Sequence, residues 1–370
     1  MYIINFRNGS IINKFKGMET PSGIAIDLIA AGETDWENVT FNDVPATRNG
    51  RLYTARVTLK EKVNTVELKA KHPSLGEYSQ KIRLLWDKES FKRYNFFIDD
   101  NIFFLTEIAS ERPKSLFDHF YLKFLREMHT KYGTLFTLNL FAENNHTPFH
   151  IRDFPDSYKR EFEENSHWLK LSFHAYSEFP DRPYQNVPGS KLGEDYDYLK
   201  KEICRFAGEK SFIPPTALHW SMARPDGISA LRKRGVKALS AQFYKPKSNQ
   251  GEVGMEKELF DIGYFCSPED CRYLGENVLL HDFEADMTYF RSTVICNYYT
   301  PEEIRDIVEK AALEDKNGIL ALETHEQYSF PSYFNYIPDH FARIESAIKT
   351  AVSLGYQSSF FAEGFLGNRA

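Results

Sequence analysis

The feature that most limits what this chain can fold into is a change of rhythm near Phe91. Before it, short runs alternate apolar and polar residues, as in Tyr53-Thr-Ala-Arg-Val-Thr-Leu59 and Asn64-Thr-Val-Glu-Leu-Lys-Ala70. A period of two belongs to half-buried antiparallel strands, and Asn49-Gly50 and the stretch Ser74 to Gly76 supply turns between them. After it, apolar runs of strand length alternate with stretches whose apolar residues recur at helical spacing, the pattern of a parallel sheet built from βα units. A chain of 370 residues also exceeds what one core usually supports. The change of rhythm therefore reads as a boundary, with an all-β sandwich over residues 1–90 and an α/β domain over 91–370.

Within the second part, Phe96-Phe-Ile98 is a short apolar strand ending in two aspartates. Leu116, Phe117, Phe120, Tyr121, Phe124, Leu125 and Met128 then mark a helix stopped by Gly133. Further strands are expected over 134–141, 168–174, 216–220, 236–242, 278–282, 318–325 and 356–363, with helices over 195–206, 225–234, 300–314 and 339–354. Thr300, Pro301 and Glu303 spell a capping box with proline at the first helical position, and Gly355 is a helix stop. Seven or eight such repeats predict a barrel, whose site would lie at the carboxyl ends of its strands.

Composition narrows the function classes. The 31 Phe and 21 Tyr supply a large packed core, and a net charge of −6 argues against a phosphate backbone as partner. Cys204, Cys266, Cys271 and Cys296 are too few and scattered for a disulfide framework and are expected to be free thiols. The start lacks an export signal, and no run of about 18 apolar residues occurs. The expectation is a cytoplasmic protein, or a secreted or envelope protein if the start has been trimmed.

Three segments carry chemistry. Asp99-Asp100 places two adjacent carboxylates at a strand end, where a cation or a shared proton would relieve their repulsion. Leu171-Ser-Phe-His174-Ala-Tyr-Ser-Glu178 delivers a histidine from a strand, and on a helical turn Glu178 would point the same way. Leu320-Ala-Leu-Glu-Thr-His325-Glu326 ends a late strand in another histidine.

In this order, the three segments resemble the polysaccharide deacetylase family, over roughly residues 94–365. The resemblance implies a distorted (β/α)7 barrel, and the strands before it resemble the immunoglobulin-like modules that accompany many bacterial carbohydrate enzymes. Carried over residue by residue, it implies Asp99 as catalytic base, His325 as general acid, and Asp100 and His174 as ligands of one divalent metal. Glu178 stands where the family has a second histidine and would complete the ligand set through oxygen. Zinc is the first expectation, with manganese, iron and nickel as alternatives. The family's glycine after the double aspartate is Asn101 here, and its Arg-Pro-Tyr-Gly segment is replaced by Ala217-Leu-His219-Trp220. His219, Trp220, Tyr176 and Glu326 are the expected substrate contacts, for a poly- or oligosaccharide losing its N- or O-acetyl groups. Two rival readings stand beside this one. One is a glycoside hydrolase using carboxyls such as Asp99, Glu178, Asp282 and Glu323, about 5 to 9.5 Å apart. The other is a degenerate carbohydrate-binding protein.

Overall fold

The computed structural model describes residues 1–241, 264 and 267–365. The alternating segments become strands because every second side chain is apolar; in Leu52–Leu59, residues Tyr53, Ala55, Val57 and Leu59 are buried. One sheet runs Tyr2–Ile3, Gly23–Ala31, Leu52–Leu59, Thr47–Asn49, with Met18–Thr20 added beside Gly23–Ala31. The other runs Ile11–Ile12, Gly76–Trp86, Val63–His72, Glu37–Phe41, Val44–Pro45. Ile24, Ile26 and Leu28 of the first meet Val66, Leu68 and Leu84 of the second in one core.

The rest of the chain is mixed α/β. Five parallel strands lie in the order Leu169–Ala175, Phe136–Phe141, Arg93–Asn101, Ile319–His325, Val294–Ile295. Arg93–Asn101 is buried at every position, as a central parallel strand covered on both faces must be. A second sheet of three strands places Met287–Arg291 between Ala238–Ala241, parallel to it, and Leu279–Asp282, antiparallel to it. Backbone hydrogen bonds from Ile213 N–H to Leu171 C=O at 3.0 Å and from Ser240 N–H to Thr216 C=O at 2.6 Å tie the segment between the sheets to each of them, and Thr293 N–H to Ala321 C=O at 2.7 Å extends the pairing of Val294–Ile295 with Ile319–His325. Eight α-helices flank these sheets among the described residues, and none is long and apolar enough to cross a membrane.

The helix Pro301–Glu314 starts at the expected box: Thr300 Oγ1 accepts from Glu303 N–H, and the Glu303 carboxylate accepts from Thr300 N–H. Other elements depart from expectation for local reasons. The apolar run after residue 115 splits into the 3₁₀ turn Leu116–Asp118 and the helix Phe120–Tyr132, because Ser115 and Asp118 close a capping box around the first turn. The expected strand 216–220 does not form: the chain runs without strand pairing of that length into the turn His219–Ser221, where Trp220 and Ser221 adopt φ of +64° and +47° and break the extended chain. Leu279–Asp282 pairs antiparallel, and the last strand shortens to Gln357–Ser358. A helix without a sequence signal of its own, Phe103–Glu111, follows the double aspartate. Cys204 and Cys296 are free thiols; Gln242 and Cys266 lie outside the described residues.

The first ninety residues abut the parallel sheet. Ile11 and Leu85 pack with Phe97, Leu279, Phe290 and Ile319. Asn13 Nδ2 donates to Asn317 C=O at 2.8 Å, and His281 N–H donates to Gly9 C=O at 2.9 Å. Gly9 has φ +90°, and a Cβ there would lie 1.9 Å from the His281 carbonyl oxygen, so the approach requires glycine.

Candidate active site

In a regular strand Asp99 and Asp100 would face opposite sides. Here the pairing with Phe136–Phe141 steps from Ile98 opposite Leu138 to Asn101 opposite Leu140, and Asp100 takes φ +60°. This bulge, one residue longer than its partner, brings both carboxyls into the interior. The same device recurs one strand away: Phe173 faces Leu140 and Ala175 faces Phe141, which leaves His174 as the extra residue. Asn101, directly after the double aspartate, holds the first bulge. Its amide donates to Ile98 C=O at 2.6 Å and Asn139 C=O at 3.2 Å, and its oxygen accepts from the Tyr121 hydroxyl at 3.0 Å.

Asp100, His174 and His219 meet in a buried triangle. Asp100 Oδ1 is 3.1 Å from His174 Nε2 and 3.2 Å from His219 Nδ1, and the two ring nitrogens are 3.2 Å apart. Three donor atoms this close together could share one divalent cation. Asp100 Oδ1 is buried without a properly directed hydrogen bond, as expected of an oxygen whose lone pair is aimed at an ion. His219 turns its other nitrogen, Nε2, to the Glu178 backbone carbonyl at 3.0 Å, which fixes the tautomer that leaves Nδ1 unprotonated. The donor set of two imidazoles and a carboxylate fits a divalent transition metal with positions left open.

A second group adjoins it: oxygens of Asp99 and Glu323 and a ring nitrogen of His325 lie within 4.8 Å of one another. Asp99 and His325 are register partners on neighbouring strands, and Glu323 is one strand repeat before His325 on the same face. Asn139 Nδ2 donates to Asp99 Oδ1 at 2.6 Å, and Ser292 Oγ donates to Glu323 at 2.5 Å. His325 Nδ1 meets Asn297 Oδ1 at 3.0 Å, so Nδ1 carries the hydrogen and Nε2 is left available.

Environment separates these groups electrostatically. Burial, with the neighbouring Glu323 and Asp100 carboxyls, pushes Asp99 well above the usual carboxylate range, against the Asn139 hydrogen bond. Burial alone would raise Asp100 as well, but the adjoining imidazoles outweigh it and hold that carboxyl well below the usual range. Burial lowers His174 to about 4, whereas Asp100 outweighs burial at His219 and raises it.

Several expected contacts lie elsewhere. The Glu178 carboxylate, expected as a metal ligand, is outside the triangle and bonds His146 Nε2 at 2.6 Å. The chain after His174 turns rather than forming a helix, so a spacing of four does not align the two side chains, and the third corner is His219. Tyr176 points away toward His150, 3.3 Å from its hydroxyl, and Tyr198. Glu326 is fully buried and does not face a substrate: its carboxylate accepts from the N–H groups of Ile102, Phe103 and Phe104 at 2.6 to 2.8 Å. Trp220 stays beside the triangle, its ring 6.0 Å from that of His219 and half-buried. The sequence reading gave no part to Asn139, Asn297 or Gln327. For Asn139 a signal existed, since it breaks the otherwise apolar strand end Leu138-Asn139-Leu140-Phe141.

No family profile and no curated protein matches this chain. Among solved structures it is similar to a peptidoglycan N-acetylglucosamine deacetylase in complex with 4-naphthalen-1-yl-N-oxidanyl-benzamide, at 11% identity and a TM-score of 0.36, over 72% of this chain and 85% of that one. It is also similar to a Bacteroides ovatus GH5 xyloglucanase in complex with a XXXG heptasaccharide, at 8% identity and a TM-score of 0.35, over 95% of this chain and 99% of that one. Likenesses at this level leave the chemistry to be read from the site's own residues.

Proposed function

We propose that the protein is a metal-dependent hydrolase that removes acetyl groups from a poly- or oligosaccharide, built as an immunoglobulin-like sandwich followed by a (β/α)7-type barrel. The observation that carries this reading is the buried triangle of Asp100, His174 and His219 set against Asp99 and His325 at two neighbouring strand ends. The order of the motifs along the chain, similar to the polysaccharide deacetylases, supports the acetylated carbohydrate as substrate.

Asp100, His174 and His219 would hold one divalent cation, zinc first among the candidates, which when bound supplies Lewis acidity toward an acyl carbonyl and lowers the pKa of water. Asp99 is the base: its raised proton affinity suits it to take a proton from water as the water oxygen bonds to the acyl carbon. Asn139 fixes the orientation of that carboxyl. As the carbon–nitrogen or carbon–oxygen bond breaks, His325 in its doubly protonated form delivers its Nε2 proton to the leaving atom and ends as the neutral ring, held by Asn297 at Nδ1. The products are acetate and a free amine or hydroxyl. The Trp220 ring beside His219 offers a face on which a sugar ring can stack.

The test pairs elemental analysis with product assays on the unaltered protein and on Asp100→Ala and His219→Ala. About one divalent ion per chain, lost in both variants, with acetate released from acetylated oligosaccharides, is the expected result. New reducing ends without acetate would instead indicate a glycoside hydrolase. Glycan binding with neither metal nor turnover would indicate a binding protein.

A further inference from the structure

The two oxygens of Asp100 have different surroundings. Oδ1 forms the corner of the triangle, whereas Oδ2 accepts a hydrogen bond from Gln327 Nε2 at 2.8 Å. We propose that Gln327 is a positioning residue that fixes which Asp100 oxygen meets a bound cation and thereby sets the affinity of the site. The proposal rests on the metal reading above.

Asp100 sits on a bulge at φ +60°, where the strand ladder no longer dictates where its side chain points. A carboxylate there can swing about its last bond and offer one oxygen or two. The Gln327 amide pins the plane of the group by holding Oδ2, and it leaves Oδ1 alone facing the two imidazoles. An amide N–H suits this task because it donates without bringing a charge that would attract or repel the ion, and it cannot itself become a cation ligand through nitrogen.

Gln327 is buried, in the 3₁₀ turn Glu326–Ser329 that directly follows His325. Its neighbour Glu326 accepts three backbone N–H groups from residues 102 to 104 and so caps the helix Phe103–Glu111, whose own N-cap residue Ile102 provides no side-chain cap. Three consecutive residues of one strand end thus act on the double aspartate. His325 faces Asp99, Glu326 holds the chain just beyond Asp100, and Gln327 holds Asp100 itself. Groups that orient a metal ligand from behind in this way are worth about 10- to 100-fold in metal affinity.

The experiment titrates zinc into metal-free protein in competition with a chelating dye, for the unaltered chain, Gln327→Met, Gln327→Glu and His219→Ala. Methionine keeps the length of glutamine and removes the donor; glutamate keeps the shape and replaces the donor by an acceptor. The expected result is zinc affinity about 10- to 100-fold weaker in both Gln327 variants, with a metal-free thermal midpoint like that of the unaltered chain. Affinity within about twofold of the unaltered chain in a folded Gln327→Met, well short of the orienting effect expected, overturns the proposal. So does loss of the metal-free fold in both variants, which would make Gln327 a structural residue. If the unaltered chain binds zinc and His219→Ala does not, while Gln327→Met binds normally, only the assignment of Gln327 fails. If the unaltered chain takes up no zinc, the metal reading fails and this proposal with it.

Discussion

His340 gives the protein a built-in sensitivity to acid that can be worked out from its surroundings. It opens the helix His340–Ser353 and is buried, with Nδ1 2.7 Å from Ser329 Oγ and Nε2 2.7 Å from Thr324 Oγ1. Two hydroxyls can satisfy a neutral imidazole, one donating and one accepting, but neither compensates a positive charge. Burial, aided by Arg343 and His325, accordingly lowers its pKa to about 3, against about 6.5 in an unfolded chain. Between these values the unfolded chain binds a proton that the folded one refuses, so stability present above about pH 6.5 is lost as pH falls. The full gap corresponds to about 5 kcal/mol, and lowering pH from about 7 to about 4.5 should cost about 2 to 3 kcal/mol through this residue. The assay is denaturant unfolding at both pH values, with a chelator present, for the unaltered protein and His340→Gln. Comparing the two proteins cancels the titration of carboxylates and of the other histidines. The unaltered protein should lose about 2 to 3 kcal/mol more than the variant. Equal losses, within about 0.5 kcal/mol, the usual error of additive comparisons, would refute the argument.

Two further predictions concern packing. Arg93 Nη2 bonds Asp87 Oδ2 at 2.7 Å with both side chains buried, so Arg93→Leu should cost about 3 to 5 kcal/mol by stranding the carboxylate. The double variant with Asp87→Asn should recover part of that in the same denaturant titration. Gly9→Ala should cost about 3 kcal/mol through the clash with the His281 carbonyl and its positive φ. Gly50→Ala, at φ +61° in open space, should cost only about 1 kcal/mol; equal shifts in unfolding midpoint for the two would contradict this account.

Much of the secondary structure is written in local patterns. Thr300, Pro301 and Glu303 mark a helix start because the cap is made by neighbours in sequence. Leu52–Leu59 declares itself by alternation. The site is less legible, because bulges decide where its side chains point. Nothing local announces that Asp99 and Asp100 face the same side, or that His174 is an extra residue opposite Leu140 and Phe141. Reasoning from a helical spacing of four led to Glu178, yet that segment is a turn, and the third corner comes from His219, 45 residues beyond His174. His219 reaches the triangle from an extended segment broken by Trp220, a geometry set by tertiary contacts rather than by propensity. The helix Phe103–Glu111 escaped notice for a similar reason, since its cap, Glu326, lies more than 220 residues away.

The close approach of Gly9 to His281 bears on how the chain can be cut or recombined. The first ninety residues are not a detachable handle. Starting the protein at residue 91 would uncover Ile319, Leu279 and Phe290 and deprive the His281 amide and the Asn317 carbonyl of their partners. Exposed apolar surface of that kind invites aggregation. The two halves should therefore melt in one transition, and a swap of the sandwich for that of another protein must bring along the loop that carries Gly9 and the strand that carries Ile11.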